Sequence, residues 1–181
     1  GLDSHVSGNF DAFGLTHDVT VGGTWSRQEA NTQQATASLR NQALNIFDAD
    51  HHAIAKPARP AWTTDIDMTE ERAGLYANSR LRLSEPLSLV LGGRASWYDY
   101  TYDIKRGAAL PYESKVTRKV TPYAGVIYDL NDDWSWYASY AEIFNAQGNY
   151  VDTRGTPLSP SEGDNYETGI KGALFDNRLN L

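Results

Sequence analysis

The sequence predicts an all-β fold, an antiparallel up-and-down meander. Three observations lead there. Apolar and polar residues alternate over long stretches, which sorts them onto opposite faces of extended strands. Short turn-rich connections take turns with longer polar ones. Eleven Tyr and five Trp stand against one Met, a balance that favours strands and interfacial aromatics.

The chain opens on a strand in which Val6, Gly8, Phe10 and Ala12 alternate with His5, Ser7, Asn9 and Asp11. A tight turn is expected at Gly14-Leu15-Thr16. In the second strand Val19, Val21, Gly23 and Trp25 face away from Asp18, Thr20, Gly22 and Thr24. The polar stretch from about Arg27 to Asp65 reads as a long loop. A third strand sets Ala73, Leu75, Ala77, Leu81 and Leu83 against Arg72, Tyr76, Asn78, Arg80 and Arg82, and Ser84-Glu85-Pro86 turns it into a fourth. There Leu87, Leu89, Leu91, Gly93, Ala95 and Trp97 oppose Ser88, Gly92, Arg94, Ser96 and Tyr98. A medium loop is expected from Arg106 to Ser114, then a fifth strand marked by Pro122, Ala124, Val126 and Tyr128. Asn131-Asp132-Asp133 is a turn, Trp134 to Ile143 a sixth strand, and Asn145 to Glu162 a second long loop. The seventh strand carries Tyr166, Thr168, Ile170, Gly172 and Leu174 on one face and Glu167, Gly169, Lys171 and Ala173 on the other. A turn at Asp176-Asn177 leads to the stub of an eighth strand ending at Leu181.

Connections therefore run short, long, short, medium, short, long, short. An up-and-down barrel in the outer membrane keeps its periplasmic turns short and its outer loops long, whereas a soluble sandwich has no reason to sort loops by length. Strand length agrees. Several strands reach about 12 residues or more, against ~5–6 in globular sheets and ~9–11 for a tilted membrane span.

Composition excludes other classes. Mean hydropathy is -0.53, and no apolar run approaches the ~20 residues of a spanning helix; barrel strands, only half apolar, escape that test. There is no Cys, so neither a disulfide framework nor a thiolate metal site is available. A net charge of -7 argues against a nucleic-acid partner. The opening GLDSHVSGNF already reads as strand, so any signal peptide is expected to have been removed or to lie upstream.

YASYAEIF from Tyr137, then LSPSEGDNYETGIKG, then FDNRLNL resembles the barrel of TonB-dependent siderophore receptors of the outer membrane, and TPYAGVIYDLNDDWSWYASY, Thr121 to Tyr140, is similar to the same family. These motifs cover about the last third of the chain. The resemblance implies an interior stretch of a barrel of the ~22-strand, plugged kind. The expectation is therefore a fragment over residues 1–181, without the plug and without the short segment that engages TonB. Eight strands could also close a small barrel; the short stub at Arg178–Leu181 speaks against it.

Candidate site residues follow from parity. Tyr98, Tyr100 and Tyr102 share the face of Arg94 and Ser96, opposite Leu89, Leu91 and Trp97, and climb toward a loop rim. Inward aromatics there suit a large, partly apolar ligand. Arg106, beyond them, could meet an anionic complex; Trp62 and Tyr150 lie in loops and are weaker candidates. Outward Trp25, Trp97 and Trp136 suit an interfacial belt. Arg72, Arg80, Arg82, Arg94, Glu167 and Lys171 fall on the polar face. Near a bilayer midplane each would cost a few kcal/mol, so that face is wet or lies against protein, and the resemblance implies a plug there. His51 and His52 follow Asp48 and Asp50, but adjacent histidines diverge and no third His is near, so a solvated loop is preferred to a metal site. No nucleophile elbow, HExxH or phosphate loop appears, so no catalytic residue is assigned.

The function these readings imply is energy-coupled uptake of a ferric siderophore across the outer membrane of a Gram-negative bacterium. The partners implied are the ferric siderophore, TonB acting through the plug, and outer-membrane lipid. No protein cofactor is expected, since the iron arrives in its chelator. The alternatives are a small structural or pore-forming barrel, a soluble β-domain binding carbohydrate and an outer-membrane enzyme. Haem, cobalamin or a sugar are alternative cargoes.

Overall fold

The computed structural model describes residues 1–35, 47, 58–175 and 178–181. Eight strands follow in chain order: β1 (Leu2–Ala12), β2 (Leu15–Gln34), β3 (Thr64–Arg82), β4 (Leu87–Arg106), β5 (Tyr112–Asp129), β6 (Trp134–Asn145), β7 (Ser161–Leu174) and β8 (Leu179–Asn180). They form one sheet in sequence order, each antiparallel to the next. Among the described residues there is no helix.

The predicted faces hold. Residues directly opposite in a ladder share a face, so the register can be followed across the sheet. Leu81 pairs with Leu89, Leu89 with Val126, Val126 with Ala138; Leu75 pairs with Ala95, Leu91 with Ala124, and Ile170 with Trp136. All lie on one apolar face. Arg94 pairs with Tyr76, Arg80 with Val90, Val90 with Gly125, Gly125 with Ser139, Ser139 with Glu167 and Ser135 with Lys171. Those share the opposite, polar face. Val6 (78 % exposed) and Tyr166 (75 %) stand near the two ends of the sheet. Among the described residues β1 has only β2 as neighbour, and β7 meets β8 over two pairs.

Three expectations need correction. β2 does not end at Arg27: it stays paired with β3 up to Gln34 opposite Thr64, while β3 begins where the loop was expected to end. Likewise β4 and β5 run on to Tyr102 opposite Tyr112, which shortens the medium loop. Up there the face that was apolar carries Arg27, Glu29, Asn31, Asp65, Asp67 and Glu71, so no apolar alternation marks the strands. Cross-strand pairs hold them instead: Arg27 Nη1 donates to Glu71 at 2.8 Å, and Asn31 Nδ2 to Asp65 at 2.9 Å and Asp67 at 2.6 Å. The first turn sits a residue earlier than expected, at Phe13 (φ 55°) and Gly14 (φ 77°). Two central residues with positive φ make the type I′ turn that suits a twisted two-residue hairpin. His17 closes that end, donating from Nε2 to Ala12 O and accepting at Nδ1 from the Arg82 N–H, each at 3.1 Å. The Asp176-Asn177 turn lies outside the described residues.

Large polar-face side chains lie over glycines of the adjoining strand. Tyr76 covers Gly22, Arg94 covers Gly74, Tyr123 covers Gly92 and Tyr137 covers Gly169, with no room left for a Cβ. The wall thus keeps its inner side chains flat against it.

Candidate functional site

On the apolar face each strand changes character at a definite place. In β4 the run Leu87, Leu89, Leu91, Gly93, Ala95, Trp97 gives way to Asp99; in β2 Trp25 gives way to Arg27; in β6 Tyr140 gives way to Glu142. Ion pairs follow immediately, Lys115 with Asp99 at 3.0 Å and Arg27 with Glu71 at 2.8 Å. The apolar run from Leu87 to Trp97 matches one tilted span of ~9–11 residues, and Trp25 and Trp97 flank Ala73 at its upper edge.

Tyr98, Tyr100 and Tyr102 rise above that edge on the polar face, opposite Arg72, Glu70 and Met68 on β3 and Val116, Ser114 and Tyr112 on β5. A bulge between Ser96 and Tyr98 places Thr117 and Arg118 opposite Trp97, with Arg118 at φ 54°. Extra residues of this kind re-aim a strand. Tyr102 stacks on Tyr112 at 4.9 Å, and Tyr100 lies 6.0 Å from the same ring. The Arg72 guanidinium stands 5.6 Å over the Tyr98 ring and donates to Glu70 at 2.6 Å.

Tyr98 and Tyr100 are only 4 % and 7 % exposed. Tyr98 is covered by the β6–β7 connection, where buried Gly148 lies on its ring, and Asn149 of the same connection lines a pocket with Tyr100. Burial, reinforced by Tyr112, pushes the Tyr100 hydroxyl up to about 12. Burial, with Glu70 beside it, pushes Tyr98 up as well. Both phenols therefore stay protonated at neutral pH. The exposed surface at this level is a cavity of ≈ 300 Å³ lined by Gln28, Ala30, Met68, Glu70, Arg72, Tyr100 and Asn149. Of these, only Arg72 and Tyr100 stood out in the sequence. Gly148 and Asn149 left no signal there, because they reach the tyrosines by chain reversal.

The remaining candidates are distributed. Arg106 Nη1 donates to Trp62 O at 2.9 Å, bringing together two residues far apart in the chain. Tyr150 is 59 % exposed in the β6–β7 connection. Lower on the polar face, Tyr137 donates to Glu167 at 2.5 Å while the Lys171 ammonium lies 4.6 Å over its ring. Arg94 donates to Thr24 at 2.5 Å and to Ser96 at 3.2 Å. Arg80 has a buried Nε without a hydrogen-bond partner, and Arg82 is exposed at the short-turn rim. Among the described residues no three His, Cys, Asp or Glu side chains gather as metal ligands; His51 and His52 lie outside the described residues.

The family model for the TonB-dependent receptor-like β-barrel matches residues 1–181. The chain belongs to that family. It is 41 % identical over 191 residues to the ferric-pyoverdine M114 receptor PbuA of Pseudomonas sp. (strain M114), covering 99 % of this chain and 23 % of the relative. The crystal structure of the ferripyoverdine receptor of the outer membrane of Pseudomonas aeruginosa, bound to ferripyoverdine, superposes with a TM-score of 0.79 at 34 % identity, over 98 % of this chain and 23 % of that one. The alcaligin outer-membrane receptor FauA from Bordetella pertussis superposes at 0.73 with 32 % identity, over 98 % of this chain and 27 % of that one. The chain thus spans about a quarter of the length of the curated relatives it matches. As a segment of a TonB-dependent receptor barrel it lies in the bacterial outer membrane. In a barrel of this kind an apolar sheet face suits lipid and a polar one the interior; the tyrosine row stands on the polar face, beyond the apolar run.

Proposed function

We propose that this chain is a stretch of barrel wall in a receptor for energy-coupled uptake of a ferric siderophore. The observation that carries the reading is the 41 % identity to a ferric-pyoverdine receptor across nearly the whole chain, which makes a ferric pyoverdine the first cargo to test. On this reading the cargo enters from the loop rim, and a plug supplied by the rest of the receptor occupies the lumen. TonB, energised from the inner membrane, acts on that plug. The wall residues Arg72, Arg80, Arg82, Arg94, Glu167 and Lys171 hydrate the lumen or meet the plug, and the belt meets lipid. The iron stays in its chelator, so the chain needs neither a metal ligand nor a cofactor, and no covalent step is assigned to it.

The surface offered to the cargo is the Tyr102–Tyr112 stack, the Arg106–Trp62 pair and the pocket edged by Asn149. Tyrosine combines ring area with a hydroxyl donor at small conformational cost, and arginine meets anionic groups. The test is uptake of radiolabelled iron from ferric pyoverdine by iron-starved cells that carry the whole receptor and lack their own. Uptake that disappears when TonB is deleted is expected. A receptor inserted in the outer membrane that takes up no ferric siderophore overturns the reading. Replacing Tyr102 and Arg106 together by Ala is expected to weaken cargo binding about tenfold; an unchanged Kd moves the contact surface elsewhere in the receptor.

A further inference from the structure

The β5–β6 ladder ends at Tyr123 opposite Ala141, although β5 reaches back to Tyr112 and β6 runs on to Asn145. Past Asn145 the chain turns onto the lumen face of its neighbours. A Cβ added to Gly148 would stand 2.6 Å from Tyr98 Cε1, 2.8 Å from its hydroxyl and 3.0 Å from Ser114 Cβ. Backbone and ring are therefore in direct contact, and any side chain at 148 must displace one of them.

What rests on this seat is an ordered unit. The Tyr150 N–H donates to Gln147 O, the Leu158 N–H to Tyr150 O, and the Asp152 N–H to Thr156 O, at 3.0, 2.9 and 2.8 Å. Val151 and Pro157 form a bridge. The Asp152 carboxylate accepts the Arg154 and Thr156 N–H groups at 2.8 and 2.9 Å. Residues 150–158 thus make a small hairpin of their own, rooted at Gly148.

We propose that Gly148 seats this hairpin on the Tyr98 ring and Ser114 as a fixed inner lining of the upper lumen, so that position 148 sets the room available to cargo. Tyr98 is then a positioning residue that the cargo does not touch. Asn149 and Glu70 belong to the surface it meets. The last statement rests on the siderophore reading above; the seat itself does not.

The experiment uses the whole receptor in detergent and follows hydrogen exchange of residues 146–158. Gly148→Ala is expected to speed exchange there about tenfold or more while the lower strands keep their protection. Tyr98→Ala, which removes the floor from the other side, is expected to do the same and covers the case in which Gly148→Ala fails to fold. Gly163→Ala, in open space, is expected to leave exchange unchanged. Wild-type exchange in both Gly148→Ala and Tyr98→Ala overturns the seat, with no cargo involved. In a second measurement Tyr98→Phe is expected to keep cargo affinity within about twofold and Asn149→Ala to lower it about tenfold. Loss of binding in Tyr98→Phe with normal loop exchange makes Tyr98 a direct contact and overturns its positioning role.

Discussion

Asp152 shows how a single side chain organises the loop above the lumen. The backbone N–H groups of Thr156 and Arg154, with the Arg154 guanidinium, hold its carboxyl below the usual carboxylate range. A lowered folded-state value means that its stabilising contribution is complete above the ordinary carboxylate value of ~3.9 and fades as pH falls through the lower, folded-state one. Protection factors of the Arg154 and Thr156 amides are therefore expected to be level at neutral pH and to drop only in acid. Asp152→Ala should show low protection at every pH; an acid drop that survives this substitution removes Asp152 from the account. At the same scale, the tyrosines show the limit of reading a sequence. Parity put Tyr98, Tyr100 and Tyr102 on the polar face, where the register has them, but the covering of Tyr98 by Gly148 depends on where the chain returns some fifty residues later, and no local pattern encodes that.

The strands were legible to the extent that their two faces see different solvents. From Leu87 to Trp97 one side is apolar and the other polar, and the alternation is plain. Above Trp25, water lies on both sides, so Arg27 to Gln34 reads as loop although every residue is paired. The glycines under the inner aromatics belong to this scale too. They alternate with apolar residues and so look like ordinary strand positions, yet each makes room for a ring. Gly92→Val is expected to lift the Tyr123 ring off the wall and cost about 1–3 kcal/mol, read as a lower unfolding midpoint of the whole receptor in detergent. A midpoint equal to wild type would mean that the ring moves aside freely and does not fix the wall.

At the scale of the whole chain, the sheet ends in open edges. Among the described residues β1 lacks an outer neighbour, β7 is bare on its outer side from Ser161 to Lys171, and the apolar face has no partner. Unpaired edges invite association, and the lipid side has no water-compatible cover. The 181-residue chain expressed by itself is expected to need detergent and to transport nothing. Light scattering behind a sizing column checks this, and a monodisperse monomer free of detergent would contradict it.

The parting of β5 from β6 carries a consequence for how such a wall can change. Below Tyr123 and Ala141 a one-residue insertion would reverse every face and put charges in oil. Above them Lys119 reaches across to Glu142 at 2.7 Å and Glu162 at 2.9 Å, where lower down there are rungs of backbone hydrogen bonds. A flexible ammonium tolerates a shift of register that a ladder does not. One strand can therefore lengthen or shorten at its outer end without forcing its neighbour to follow, so the part that meets new molecules is free to vary while the part that meets the bilayer keeps its count.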